Sequence, residues 1–193
     1  TERNRGYEEG LQGLDECARF LQTQQRARVK GLIALHASFT ASDKLISRAG
    51  DMARDHGTVL HVHLAEDAAD IADAQRRGYL GPLERLLHLK AVPAGSIMAH
   101  GVHLTLDQVK QVEDLDCWLV HNPRSNAGNE VGYAEHLSQI DRVALGTDGF
   151  PADMAMEMEA VREGPDVAKT RLDNGRRIAE ERFGRHFGLD EGG

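Results

Sequence analysis

Five short apolar runs, each closing on or near a histidine or an acid, constrain this chain more than any other feature. The closing residues are His36, His63, His100, His121 and Asp148, with gaps of 27, 37, 21 and 27 residues. Each gap can hold a crossover helix that returns the chain to a parallel strand. The runs lie at Gly31–Leu35, Thr58–Leu64, Ser96–His100, Cys117–His121 and Arg142–Gly149, the last including a turn. Their continuous apolar character predicts strands covered on both faces. A helix is expected over 6–25, where Tyr7, Leu11, Leu14, Ala18 and Leu21 recur at helical spacing. Another starts at Ser42, a side-chain cap, and runs through Leu45, Ile46, Ala49 and Ala53. Residues 67–90 read as two helical pieces, broken near Gly78 and Gly81-Pro82. Thr105 and Gln108 form a capping box for a helix through Leu115. Asn122–Asn126 reads as a turn-rich loop, 132–140 as a weaker helix, and Arg171–Arg185 as a basic helix. Strands alternating with helices of this length predict an α/β fold with a parallel sheet.

The 193 residues suit one domain with a real core. Lys and Arg number 23 against 31 Asp and Glu, a net charge of −8. That balance argues against a general nucleic-acid binder, which needs clustered cations for phosphates. No apolar run approaches the ~18–20 residues of a membrane span. No basic stretch followed by an apolar one reads as an export signal. Cys17 and Cys117 lie far apart and form no Cys-x-x-Cys pair. A reducing cytoplasm is therefore the expected location.

Functional side chains of parallel α/β folds gather at the carboxyl ends of strands. The five closing residues are accordingly read as one site. The sharpest signal is His61-Val62-His63-Leu64-Ala65-Glu66. Strand alternation puts His61 and His63 on one face, about 6.6 Å apart along the chain. His63 lies nearer the mouth, and Glu66 follows where a loop brings its carboxylate over a metal at His63. Imidazole with carboxylate suits Zn, Fe or Ni. Gly146-Thr147-Asp148-Gly149 delivers Asp148 between small residues. Alone, Asp-Gly is ordinary turn chemistry; beside the histidine series, Asp148 reads as a metal ligand that also handles a proton. His100 is assigned to catalysis and His103 to support. His121, Asn122, Ser125 and Asn126 are read as groups that hold a polar substrate. His56, His88, His136 and His186 are read as surface residues, and Glu157, Glu159, Glu180 and Glu181 as solvated faces. A metal in such a site lowers the pKa of bound water to about 7, and a carboxylate beside it can shuttle protons. This chemistry fits hydrolysis of a polarised C–N bond. No Gly-x-Ser-x-Gly elbow speaks for a serine nucleophile.

Together these motifs resemble the amidohydrolase superfamily, in its cytosine/guanine deaminase and chlorohydrolase branch, nearest to the SsnA-type aminohydrolases. The stretches that carry the resemblance are Thr1–Gly6 with its following helix, Ser38–Ser42, HVHLAED (61–67), AHGVHL (99–104), HNPRSN (121–126) with Asn129–Tyr133, and LGTDGF (145–150) with Asp153-Met154. The likeness is almost continuous over 1–160, and the tail from Asn174 resembles the family's exit from its barrel. It implies a parallel-stranded (β/α)8 TIM-type barrel with one divalent metal, Zn or Fe. This chain would supply about strands 4–8 of it, with 1–164 as partial barrel and 165–193 as exit helix and tail. The resemblance makes His63 the strand-5 metal ligand and Asp148 the strand-8 ligand and proton acceptor. Glu66 becomes the acid that protonates a ring nitrogen, and His100 the group that orients the nucleophile or polarises the bond attacked. Asn122 and its loop become part of the substrate pocket. The expected reaction is deamination, or related C–N hydrolysis, of a purine- or pyrimidine-like heterocycle by metal-bound hydroxide. Alternatives are cyclic amide opening, dechlorination or ring hydration on the same scaffold, or a non-catalytic barrel fragment. The family's H-x-H ligand pair on strand 1 has no counterpart here. With five strands found, and about 250 residues typical of a whole barrel, the fragment reading follows. A small heterocyclic substrate is the expected partner, with neither nucleic acid nor membrane; a homo-oligomer is left open.

Overall fold

The computed structural model describes residues 2–27 and 29–184. Its strands are β1 (Ile33–Ala37), β2 (Leu60–Leu64), β3 (Ile97–His100), β4 (Trp118–His121) and β5 (Val143–Leu145). The helices are α1 (Glu2–Arg5), α2 (Tyr7–Thr23), α3 (Asp43–Asp55), α4 (Ala68–Arg76), α5 (Pro82–His88), α6 (Leu106–Asp114), α7 (Pro123–Gly128), α8 (Met154–Glu159) and α9 (Pro165–Phe183). All strand pairs are parallel, and the strands stand in chain order. With no reversal of order, each right-handed crossover winds the same way. This is the wall of a (β/α)8-type barrel, whereas a doubly wound sheet would switch direction.

Alternation along the strands separates the two faces. In β2, Leu60, Val62 and Leu64 are buried while His61 and His63 are partly open. The buried set forms the main core with Ile46, Ala49 and Ala53 of α3, Leu83 and Leu86 of α5, and Val109 and Val112 of α6. Local signals acted as read. Ser42 Oγ accepts from the Leu45 amide at 3.2 Å, Thr105 and Gln108 form their capping box, and the chain breaks between α4 and α5 around Gly81-Pro82. No helix among the described residues is long and apolar enough to cross a membrane.

A buried polar node locks the exits of β1 and β2. Arg85 is fully buried and donates to the carbonyls of Ser38 (2.6 Å) and Ala41 (2.8 Å) and to Asp43 Oδ1 (2.7 Å). Asp70, also buried, accepts from Ser38 Oγ at 2.5 Å and from the Ala65 amide at 2.9 Å. A buried guanidinium or carboxyl is tolerable only when partners replace its water, so this node fixes the loops that carry the site. On the far side α9 packs along β5. Asn174 Nδ2 donates to the carbonyls of Asp141 (2.8 Å) and Val143 (2.7 Å). The Arg142 carbonyl between them accepts from the Leu119 amide in β4. Asn174 therefore covers the outer edge of β5, which would otherwise present bare acceptors.

Four expectations are corrected. The supposed loop 122–126 contains the start of α7, with Pro123 in its first turn, a position where the missing N–H costs nothing. The supposed helix over 132–140 is irregular apart from a 3-10 turn at Leu137–Gln139. Ala134, Leu137 and Ile140 are buried at a spacing of three, which a 3-10 turn satisfies as well as a helix does. The tail helix begins at Pro165, ahead of Arg171. Glu157 is fully buried and accepts from the Arg124 amide (3.2 Å) and guanidinium (3.3 Å). The end of the tail helix at Arg185, and His186, lie outside the described residues.

Candidate active site

Three strand ends converge. Ligand atoms of His63, His100 and Asp148 all lie within 4.8 Å of one another. The His63 ring is 4.9 Å from that of His100 and 5.2 Å from that of His36, while His61 stands deeper at 6.5 Å. Glu66 Oε2 lies 3.8 Å from His63 Nδ1 and 3.6 Å from His100 Nε2. Asp148 Oδ2 is 3.9 Å from that same Nε2.

The backbone strains to achieve this. Ala65, His100 and Asp148 have φ of 50°, 78° and 50°, a region that costs a side-chain-bearing residue on the order of 1–3 kcal/mol. For His100 the reason is visible. Its register partner Leu64 packs into the helix-side core, and strict alternation would send His100 the same way. The left-handed twist turns its ring to His63 instead.

His100 is fully buried, and its Nδ1 lies 2.8 Å from Asn126 Oδ1. A carboxamide oxygen only accepts, so Nδ1 carries the proton and Nε2 keeps its lone pair. Nε2 is buried and has no hydrogen-bond partner among the described residues. Burial is the main influence pushing the His100 pKa down, and it favours the neutral ring. A neutral imidazole, oriented through one nitrogen and bare at the other, can face a divalent cation or the reacting group beside it. The residues present therefore fit such a cation.

Further contacts hold the acids. Ser125 Oγ donates to Asp148 Oδ2 at 2.5 Å. Asn129 Nδ2 donates to Glu66 Oε1 at 3.1 Å and lies 3.4 Å from Ser125 Oγ. The Glu66 carboxyl is held down at about 2, chiefly by the adjoining His63, with His100 and Asn129 adding to it against the opposing effect of burial. Gly146 is required beside Asn122: a Cβ there would stand 2.5 Å from Asn122 Oδ1 and 2.6 Å from Val120 Cγ1.

His121 closes β4 as expected but is absent from the His63–His100–Asp148 cluster. It is fully buried, edge-on to Tyr133, and its Nδ1 accepts from Arg171 at 2.8 Å. Burial first, then the Arg171 charge, pushes its pKa down to about 3. The unfolded chain protonates this residue near ~6.5. Between those values the unfolded state binds more protons, so stability is lost as pH falls. Denaturant melts between pH 7 and 4 should show a decline of up to roughly 1.4 kcal/mol per pH unit from this residue. His121→Gln, which still accepts from Arg171, should flatten that decline; equal slopes would exclude His121 as its source.

Asn122, Ser125 and Asn126 are all buried. Asn126 and Ser125 turn polar atoms to His100 and Asp148, and Asn122 Nδ2 sits 3.5 Å from His100 Nδ1. Asn129 and Arg171 received no role from sequence reasoning. Ser125 and Asn129 stand one helical turn apart, a spacing that becomes informative once α7 is recognised as a helix.

Sequential parallel strands with imidazoles and carboxylates meeting at their carboxyl ends define an α/β-barrel protein with a metal-type site. The chain belongs to the amidohydrolase family, whose sequence profile matches residues 2–182. It is 30% identical over 134 residues to a 5'-deoxyadenosine deaminase of Methanosphaera stadtmanae, covering 68% of this chain and 32% of that protein. It is 32% identical over 143 residues to a 5-methylthioadenosine/S-adenosylhomocysteine deaminase of Thermococcus sibiricus, covering 72% of this chain and 34% of that protein. The chain thus spans about a third of the length of these curated relatives. Among solved structures, a zinc-bound adenosine deaminase from Xanthomonas campestris shares the fold, with a TM-score of 0.64 and 22% identity over 86% of this chain and 37% of that one.

Proposed function

We propose that these residues serve a metal-dependent hydrolase that deaminates, or otherwise hydrolyses, a C–N bond of a purine- or pyrimidine-like ring. The observation that carries this reading is the convergence of His63, His100 and Asp148 within 4.8 Å, with Glu66 beside them. The deaminase names of the two curated relatives support the reaction class. The mixed nitrogen and oxygen donors suit Zn or Fe.

His63 and Asp148 would hold the cation. When bound, it would bring the pKa of a water towards about 7. His100 presents its bare Nε2 to the reacting group and polarises or orients it. Asp148 takes a proton from the attacking water. Glu66, ionised before substrate enters, takes up a proton from solvent as the ring binds and gives it to the ring nitrogen, so that the ring carbon accepts the nucleophile. Asn126 and Ser125 act through His100 and Asp148, fixing the direction of each. The sequence has Asn122, Ser125 and Asn126 contact substrate, and the hydrogen bonds of Ser125 and Asn126 support a positioning role beside that one. His121 joins them as a structural anchor to α9.

A direct test presents the complete enzyme with adenine nucleosides, guanine, cytosine and chlorinated triazines, measuring ammonia and chloride. The expected result is ammonia from at least one amino-substituted ring, abolished by a chelator and restored by Zn or Fe. Metal-replete enzyme that releases no ammonia from any of them would overturn the proposal. Chloride release alone would move it to dechlorination.

A further inference from the structure

We propose that Asn129 is a positioning residue that joins the two carboxylates of the site into one hydrogen-bonded chain. The proposal rests on the acid–base roles given above to Glu66 and Asp148. The Asn129 amide has two hydrogens. One goes to Glu66 Oε1 at 3.1 Å, and the nitrogen also lies 3.4 Å from Ser125 Oγ. Ser125 in turn donates its single proton to Asp148 Oδ2 at 2.5 Å. Every direction in this chain is forced: an amide N–H only donates, an ionised carboxylate only accepts, and the serine hydroxyl does one of each. The line Glu66–Asn129–Ser125–Asp148 crosses the site from the exit of β2 to the exit of β5, along one side of α7.

The consequence falls on Glu66. With Oε1 tied to Asn129, Oε2 is the oxygen turned toward His63 and His100, at 3.8 and 3.6 Å. The terminal carboxylate torsion is soft and roughly two-fold. Without the amide, no hydrogen bond among the described residues holds Oε1, and fewer bound complexes have the carboxylate aimed at the substrate. Such a loss appears in kcat more than in substrate binding. Asn129 is exposed at the end of α7, so its replacement leaves the core intact.

The test uses the complete enzyme and Asn129→Leu, which keeps the size and removes both links. Its kcat should fall about tenfold with KM within about twofold and metal content unchanged. In the pair Glu66→Gln and Asn129→Leu/Glu66→Gln, the second substitution should add nothing, because Asn129 acts through Glu66. Independently of turnover, the Asn129 side-chain amide resonances of the metal-free protein should move on Glu66→Gln. The inference is overturned if Asn129→Leu keeps its kcat while Glu66→Gln collapses. It is also overturned if the double variant loses a further full tenfold, or if the amide resonances stay in place. A Glu66→Gln enzyme of full kcat removes the underlying acid–base reading, and this inference with it.

Discussion

Glu66→Gln in the complete enzyme is expected to retain its metal and lose about three orders of magnitude in kcat. The substitution keeps the shape of the side chain and an acceptor oxygen for Asn129, which donates to Glu66 Oε1 at 3.1 Å. What disappears is the capacity to carry a proton, since a carboxamide neither gains nor gives one near neutral pH. Positioned general acid–base groups contribute about 10²–10⁴ in rate, and Glu66 is the acid placed between two imidazoles at 3.8 and 3.6 Å. The His63 and Asp148 atoms that would hold the cation are untouched, so metal analysis should match the parent. Unchanged kcat would remove Glu66 from proton transfer. Lost metal would recast it as a ligand.

Asp148→Asn should be harsher still, because one carboxylate is asked to do two things. It shares the ligand cluster with His63 and His100, and it is the proposed acceptor of the water's proton. Asparagine tolerates the left-handed backbone at this position, and its carboxamide oxygen can still accept from Ser125. Fold and loop should therefore survive, and the effect should report charge alone. A neutral amide is a poor ligand for a divalent cation, so metal content should drop well below one per site. Turnover should fall at least ~10³-fold even in excess metal, because the base is gone as well. An Asp148→Asn enzyme that keeps stoichiometric metal and most of its rate would displace Asp148 from both roles. Circular dichroism and thermal melting would confirm that the fold is retained.

The wall of the barrel was legible because strand order follows from chain order once five runs are spaced by crossover lengths. Leu60, Val62 and Leu64 announced one face of β2, and His61 and His63 the other. The convergence of His63, His100 and Asp148 was legible for the same reason: each closes or follows a strand. What sequence did not reveal depends on partners distant in the chain. Glu157 looked solvated because Arg124, 33 residues earlier, is not a neighbour in sequence. Asn122-Pro123 looked like a turn because the helix it opens is only six residues long. The contacts of Asn126 to His100 and of Ser125 to Asp148 were hidden because a polar side chain beside a site gives no sign of which residue it will meet. The direction of His100 was invisible too, because it follows from a single positive φ and not from alternation.

That departure recurs at Ala65 and Asp148, in the rim loops next to the cluster. Glycine would occupy any of the three without penalty, and at two of them it would delete a group on which the proposed chemistry depends. The rim is therefore where ease of folding and usefulness part company. Substitutions that make this protein hardier should be sought among its outer helices, whereas greater comfort at His100 or Asp148 would come at the expense of turnover.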